Sequence, residues 1–194
     1  MNITLCEEDR SEILRYLGYR GNEITEVVEE NIKAAIALSN KCIAVKYVWK
    51  PFTLFKEKEG LTLEGTDMVL KGKSIARHLK KSTRIILFCV TIGSDFDREI
   101  QKQMVKNPSL GVILNACGIQ AVEKAADAVQ KEAEESLECK SGVRFSPGYG
   151  DLPLETQEDV MRILDAAKLC GVTINESFLM NPQKSVTAIA GLED

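Results

Sequence analysis

Eight consecutive residues, Arg144-Phe145-Ser146-Pro147-Gly148-Tyr149-Gly150-Asp151, concentrate more chemistry than any other stretch of this 194-residue chain. Proline before glycine predicts a type II turn, because Gly148 tolerates positive φ. Such a turn leaves backbone N–H and C=O groups to water or to a ligand, here around Ser146, Pro147 and Gly148. Arg144 offers a planar fork suited to a carboxylate. Tyr149 offers a hydroxyl and a π face that holds a cation. A cationic, amino-acid-like ligand would use all of them. The residues alone leave a second reading open, in which the stretch is a tight connection, Arg144 is salt-bridged to a glutamate and Tyr149 covers the surface.

Other chemistry is sparse. His78 is the only histidine, which argues against histidine-rich metal sites and against a Ser-His-Asp or Cys-His nucleophile. The six cysteines contain no C-x-x-C pair and read as reduced thiols of a cytoplasmic protein, several of them acting as small hydrophobes. A formal net charge of -4 and the lack of a lysine-arginine block speak against a nucleic-acid binder. The apolar runs are too short to span a bilayer, and "MNITLCEEDRSE" has neither the basic nor the apolar region of a signal peptide.

The elements that must position the turn can be read from periodicity. Residues 7–17 read as a short helix and 23–40 as a second, whose apolar side carries Ile24, Val27, Val28, Ile32, Ala35, Ile36 and Leu38. Residues 42–72 are rich in β-branched and aromatic types broken by glycines, which predicts two or three antiparallel strands, with Pro51 at an edge or bulge. "SIARHLKK" reads as a short helix and "RIILFCVTIG" as a buried central strand. Ser94 to Asp97 has the pattern of a capping box, opening a helix with Phe96, Ile100 and Met104 inward. Asn107-Pro108 opens a long helix to about Leu137, whose first half is apolar all round, Val112 and Ile119 included. Thr156 to Asp159 is a second capping-box pattern, before Val160, Ile163, Leu164 and Ala167, with Gly171 as the stop. "VTINES" and "SVTAIAG" read as short strands. Together these predict an α+β fold: one domain over 1–194, with a helical part at 1–40 and a largely antiparallel sheet with packed helices in 41–194.

With the segments taken in order, the last quarter of the chain resembles the reactivation domain of cobalamin-dependent methionine synthase. Arg144, Gly148 and Tyr149 match its Arg-x-x-x-Gly-Tyr signature. After the following helix come Gly171, Glu176-Ser177, Met180-Asn181-Pro182 and Ser185-Val186 in the family's order and near-identical spacing. Upstream, "ACGIQAVEKAAD" resembles the helix that carries a ligand-side glutamate, with Glu123 as the counterpart; its residues alone read equally as an exposed helical acid.

The resemblance implies that S-adenosylmethionine binds at Arg144, Ser146, Pro147, Gly148, Tyr149 and Glu123. It also implies a cytoplasmic role in methionine biosynthesis as the reactivation component of a cobalamin-dependent methionine synthase lacking its own such domain. Cob(II)alamin would be reductively methylated to methylcobalamin, with cobalamin held by that partner and an electron donor such as flavodoxin supplying the electron. The nucleophile would be the partner's cobalt and the leaving group a sulfonium, so this chain needs no general base; a non-enzyme would lack one equally. Two departures stand out. Val48 in "VWKPF" occupies the place of a family aspartate, and the chain stops at Asp194, short of an extension that completes the site in the larger enzyme, so a more open or partner-completed site is expected. They leave two alternatives: a non-catalytic adaptor docking on a corrinoid methyltransferase, or a binder of another small molecule on the same fold.

Overall fold

The computed structural model describes residues 1–21 and 23–193. After a 3-10 turn at Glu7–Asp9, the helices are α1 (Arg10–Tyr16), α2 (Glu26–Cys42), α3 (Lys73–His78), α4 (Ser94–Lys106), α5 (Pro108–Leu137), α6 (Thr156–Leu164) and α7 (Ala166–Leu169). The strands are β1 (Lys46–Glu57), β2 (Gly60–Leu63), β3 (Val69–Leu70), β4 (Arg84–Thr91), β5 (Lys140–Ser141), β6 (Thr173–Ile174), β7 (Met180–Asn181) and β8 (Ser185–Glu193). Six strands form one antiparallel sheet in the order β3-β2-β1-β4-β8-β5, and β6 pairs with β7 apart from it. The architecture is the expected α+β one.

The central strand explains its own sequence. Ile86, Phe88 and Val90 of β4 enter a core built with α1, α2, α4 and α5, while Ile85, Leu87 and Cys89 enter a second core with α3, α6 and α7. Side chains alternate across a strand, so covering both faces requires a continuous apolar run. Pro51 lies in β1 opposite Ile86, beyond the stretch of β1 that β2 covers, so its missing N–H costs the ladder nothing on the open side. In the second core the Cys89 and Cys170 sulfurs meet at 3.7 Å.

Several marginal positions differ from their periodicity. Val27, Met104 and Val112 are exposed, as is Ala167, while its neighbour Ala166 is buried. Neither capping box forms: Gly93 and Glu155 occupy the N-caps without side-chain bonds. The Asp97 carboxylate instead accepts from the Gln183 N–H at 2.5 Å, tying α4 to the segment before β8. By contrast, Asn107 caps α5 by accepting from the Leu110 N–H. At Asp165 the chain takes the left-handed conformation, which splits one expected helix into α6 and α7. The strand expected from "SVTAIAG" is the nine-residue β8, at the heart of the sheet. Gly18 and Gly21 adopt positive φ where the break after α1 was expected; Asn22 lies outside the described residues. No helix among the described residues is long and apolar enough to cross a membrane.

At the N-terminus, Asp9 is buried and accepts hydrogen bonds from Lys124 (2.8 Å), Gln120 (2.9 Å) and the Cys6 N–H (2.9 Å), tying the start of the chain to α5. Burial raises its pKa, but the bonds from Lys124, Gln120 and Cys6 outweigh it and hold the carboxyl below its ordinary 3.8. A depressed folded-state pKa contributes stability that is fully present above the unfolded value and lost as pH falls through the folded one. Urea unfolding from pH 7 to pH 3 is therefore expected to show an acid loss beginning near pH 4 that is smaller in Asp9→Asn; equal acid slopes for the two proteins would rule this out.

Candidate functional site

The stretch 144–151 is held at three places. Phe145 exchanges backbone hydrogen bonds with Ile189 of β8 (2.9 and 2.8 Å), and the Ser146 hydroxyl donates to the Thr187 carbonyl at 2.7 Å. The Ser146 carbonyl accepts from the Tyr149 N–H at 3.0 Å across Pro147-Gly148, with Gly148 at φ +87, which closes the expected type II turn. Downstream, Asp151 caps α3 by accepting from the Lys73 and Ser74 N–H groups at 2.7 and 2.8 Å. Gly150 lies between these anchors at φ +57, where an added Cβ would stand 2.7 Å from the Ser74 hydroxyl. Left-handed backbone costs a residue with a Cβ about 1–2 kcal/mol, so Gly150→Ala is expected to lower unfolding free energy by at least that amount; an unchanged urea midpoint would contradict it.

The turn offers a ligand something other than expected. The N–H groups of Gly148, Tyr149 and Leu152 are consumed within the loop. Among the described residues the carbonyls of Pro147 and Gly148 receive no hydrogen bond, so the turn presents acceptors. Tyr149 is mostly exposed and meets Phe145 edge-on at 5.9 Å, while His78 meets Phe145 in a tilted contact at 5.1 Å and hydrogen-bonds the Val143 carbonyl through Nε2 at 2.7 Å.

Arg144 does not project freely. One of its Nη atoms donates to Glu123 at 2.8 Å, and the other to Asp127 at 2.5 Å and Gln130 at 3.3 Å, all on α5. Burial works against its charge, but the bonds to Asp127 and Glu123 prevail and hold its pKa above the ordinary arginine value. The salt bridge of the second sequence reading therefore forms, and its partner is the same Glu123 that the family resemblance assigns to the ligand.

These residues surround a cleft of about 560 Å³, within the range of small-molecule sites. Glu123, Ser146, Pro147 and Tyr149 line one side; Phe178, Leu179 and Met180 face them from the β6–β7 hairpin. Glu123, Ser146 and Tyr149 also wall an adjoining cavity of about 340 Å³ that contains Arg144. Gly148 lines neither; its contribution is the turn. Val48 packs in the second core and borders neither cavity. Among the described residues, the main cleft is lined by no lysine or arginine, and Glu123 is its one charge.

Several contributors were not singled out in the sequence. The Asn175 side chain accepts from the Ser177 and Leu179 N–H groups (2.9 and 3.0 Å), folding the hairpin so that Phe178, at φ +60, joins the cleft wall. Asn followed by polar residues is an Asx-turn signal that could have marked it. Asp127, one turn beyond Glu123 on α5, carries no sequence signal of its own and is marked only by its bond from Arg144. Gln157 and Thr187 line the cleft from α6 and β8.

The fold has a counterpart among known proteins. A solved structure described as the MetH reactivation domain bound to AdoHcy aligns with a TM-score of 0.71, over 94% of this chain and 73% of its own, at 16% sequence identity, a likeness that shows the fold. The family model for the activation domain of vitamin B12 dependent methionine synthase matches residues 74–193, and the chain belongs to that family. No curated protein matches significantly.

Proposed function

We infer that the chain binds S-adenosylmethionine in the cleft beside the Pro147-Gly148 turn and serves as the reactivation component of a cobalamin-dependent methionine synthase. The observation that carries this reading is the electrostatic character of the cleft: one carboxylate, the unpaired Pro147 carbonyl and an exposed tyrosine face, with no lining cation. Such a surface favours a ligand bearing positive charge and hydrogen-bond donors. The structure with AdoHcy bound to the same fold adds support of its own.

In this reading Glu123 receives the ligand ammonium, the carbonyl of Pro147 takes a further donor, and Tyr149 covers the positive sulfur. Arg144 has two tasks. It aims Glu123 into the cleft, and it meets the ligand carboxylate in competition with Asp127, whose side chain is 69% exposed. Ser146 pins the turn to β8. Bound S-adenosylmethionine would supply a methyl group on a sulfonium leaving group; the residues here hold and orient it. Cobalamin would come with a partner synthase that lacks this domain, in the cytoplasm, with a separate electron donor such as flavodoxin.

A second reading, a non-catalytic adaptor docking on a corrinoid protein, has one observation in its favour: Arg144 is already satisfied by acids of its own chain. Calorimetry with S-adenosylmethionine, followed by reconstitution with a core synthase in the cob(II) state and a reductant, separates the two. The expected result is ligand binding and ligand-dependent reactivation. Partner binding without either would establish the adaptor.

A further inference from the structure

We propose that Gln157 is a specificity residue of the cleft, donating a hydrogen bond from its carboxamide to a ring nitrogen of a purine. The proposal rests on the cleft being a nucleoside-ligand site, as inferred above. Gln157 is 3% exposed and lines the cleft from the first turn of α6. Its Oε1 accepts from the Thr187 hydroxyl at 2.9 Å, which fixes the orientation of the amide. Its Nε2 is buried and has no partner among the described residues. A buried N–H without an acceptor is rare in folded proteins and destabilising. The fold uses Oε1 to satisfy the buried Thr187 hydroxyl, but nothing among the described residues uses Nε2.

The chemistry of the ligand follows from what surrounds that N–H. Oε1 already accepts from Thr187 and the unpartnered atom is Nε2, so the group left to a ligand is a donor and it selects an acceptor. An anionic acceptor such as the ligand carboxylate would be buried beside Ser146, Ser185 and Thr187 with no cation lining the cleft, which is costly. A sugar hydroxyl both donates and accepts, whereas an unprotonated purine ring nitrogen only accepts, and the deaza series below separates the two. Phe178, Leu179 and Met180 supply an apolar wall against which a flat heterocycle packs. The amino-acid end of the ligand would then lie toward Glu123 and the base toward Gln157, so opposite ends of one molecule are read by a carboxylate and an amide.

The test is a mutant–analogue cycle in the full chain. Wild type, Gln157→Met and Thr187→Val are titrated with S-adenosylhomocysteine, adenosine, and the 1-, 3- and 7-deaza analogues of adenosine. Gln157→Met is expected to weaken adenosine and S-adenosylhomocysteine by the same factor, roughly 3- to 10-fold for a neutral hydrogen bond. With one deaza analogue, in which the accepting nitrogen has become C–H, wild type and Gln157→Met should bind equally. Thr187→Val releases the amide and should show a smaller loss of the same pattern, which keeps the test valid if Gln157→Met folds poorly. A loss that persists with every deaza analogue, or no loss at all, overturns the role of Gln157. Wild type that binds adenosine but no S-adenosyl compound overturns the proposed function while the analogue series still decides Gln157. Wild type that binds none of the probes overturns both.

Discussion

Arg144→Ala is expected to weaken S-adenosylmethionine binding by about 1.5–3 kcal/mol, roughly 10- to 150-fold, the cost of losing hydrogen bonds to a charged group. The geometry says why the loss extends beyond one contact. Glu123 and Asp127 stand four residues apart on one face of α5, and Arg144 bridges them. Without it two like charges adjoin on the helix, a mutually repulsive arrangement, and Glu123 is no longer aimed at the cleft. Arg144→Lys keeps the charge but not the two-armed fork, so an intermediate loss is expected. Asp127→Ala should act in the opposite direction, because it removes the competitor for Arg144 while leaving Glu123 paired. Calorimetry on the three variants checks the series; unchanged affinity in Arg144→Ala would remove the arginine from the site.

The largest effect on stability is expected at Phe88. It sits in β4 with Trp49 and Ala188 as cross-strand neighbours and is fully buried in the core beneath α5. Phe88→Ala removes most of an aromatic side chain from between two paired strands that cannot close on the gap. The expected loss is about 3–5 kcal/mol, a large part of the total stability of an ordinary domain. Urea denaturation measures it directly, and a loss under about 1.5 kcal/mol would mean that the site collapses far more easily than paired strands permit.

What the sequence showed, and what it hid, divides along the range of the interactions. The β4 run, the Asn107-Pro108 helix start and the Pro147-Gly148 turn were legible because their causes lie within a few residues: two covered faces, a local cap, a glycine φ. The two capping boxes were misread because nothing in the pattern reveals that the Asp97 carboxylate is taken by Gln183, 86 positions away in the chain. Val27, Met104 and Val112 lie at the margins of apolar stripes, where a small rotation of the helix decides burial and periodicity cannot. In the site, the turn and its arginine could be found, but the Arg144–Asp127 pair could not, since it depends on how α5 passes the loop. Gln157 looked like part of a helix start. Its burial comes from the packing of α6 on the sheet, where its amide meets Thr187 of β8.

The place of β8 in that sheet bears on how the protein is made. β8 is the last strand of the described chain to be synthesised, yet it inserts between β4 and β5, pairing Arg84 with Leu192 and Thr91 with Ser185. It also anchors the turn through Ile189 and Thr187 and supplies part of the cleft. Until its residues leave the ribosome, the apolar edge of β4 has no partner on that side and the turn has nothing to hang from. The cleft is therefore completed late, and pairings across so long a stretch of chain form slowly. From the completion of β4 until β8 emerges the chain carries an open strand edge, the kind of surface that invites wrong pairing.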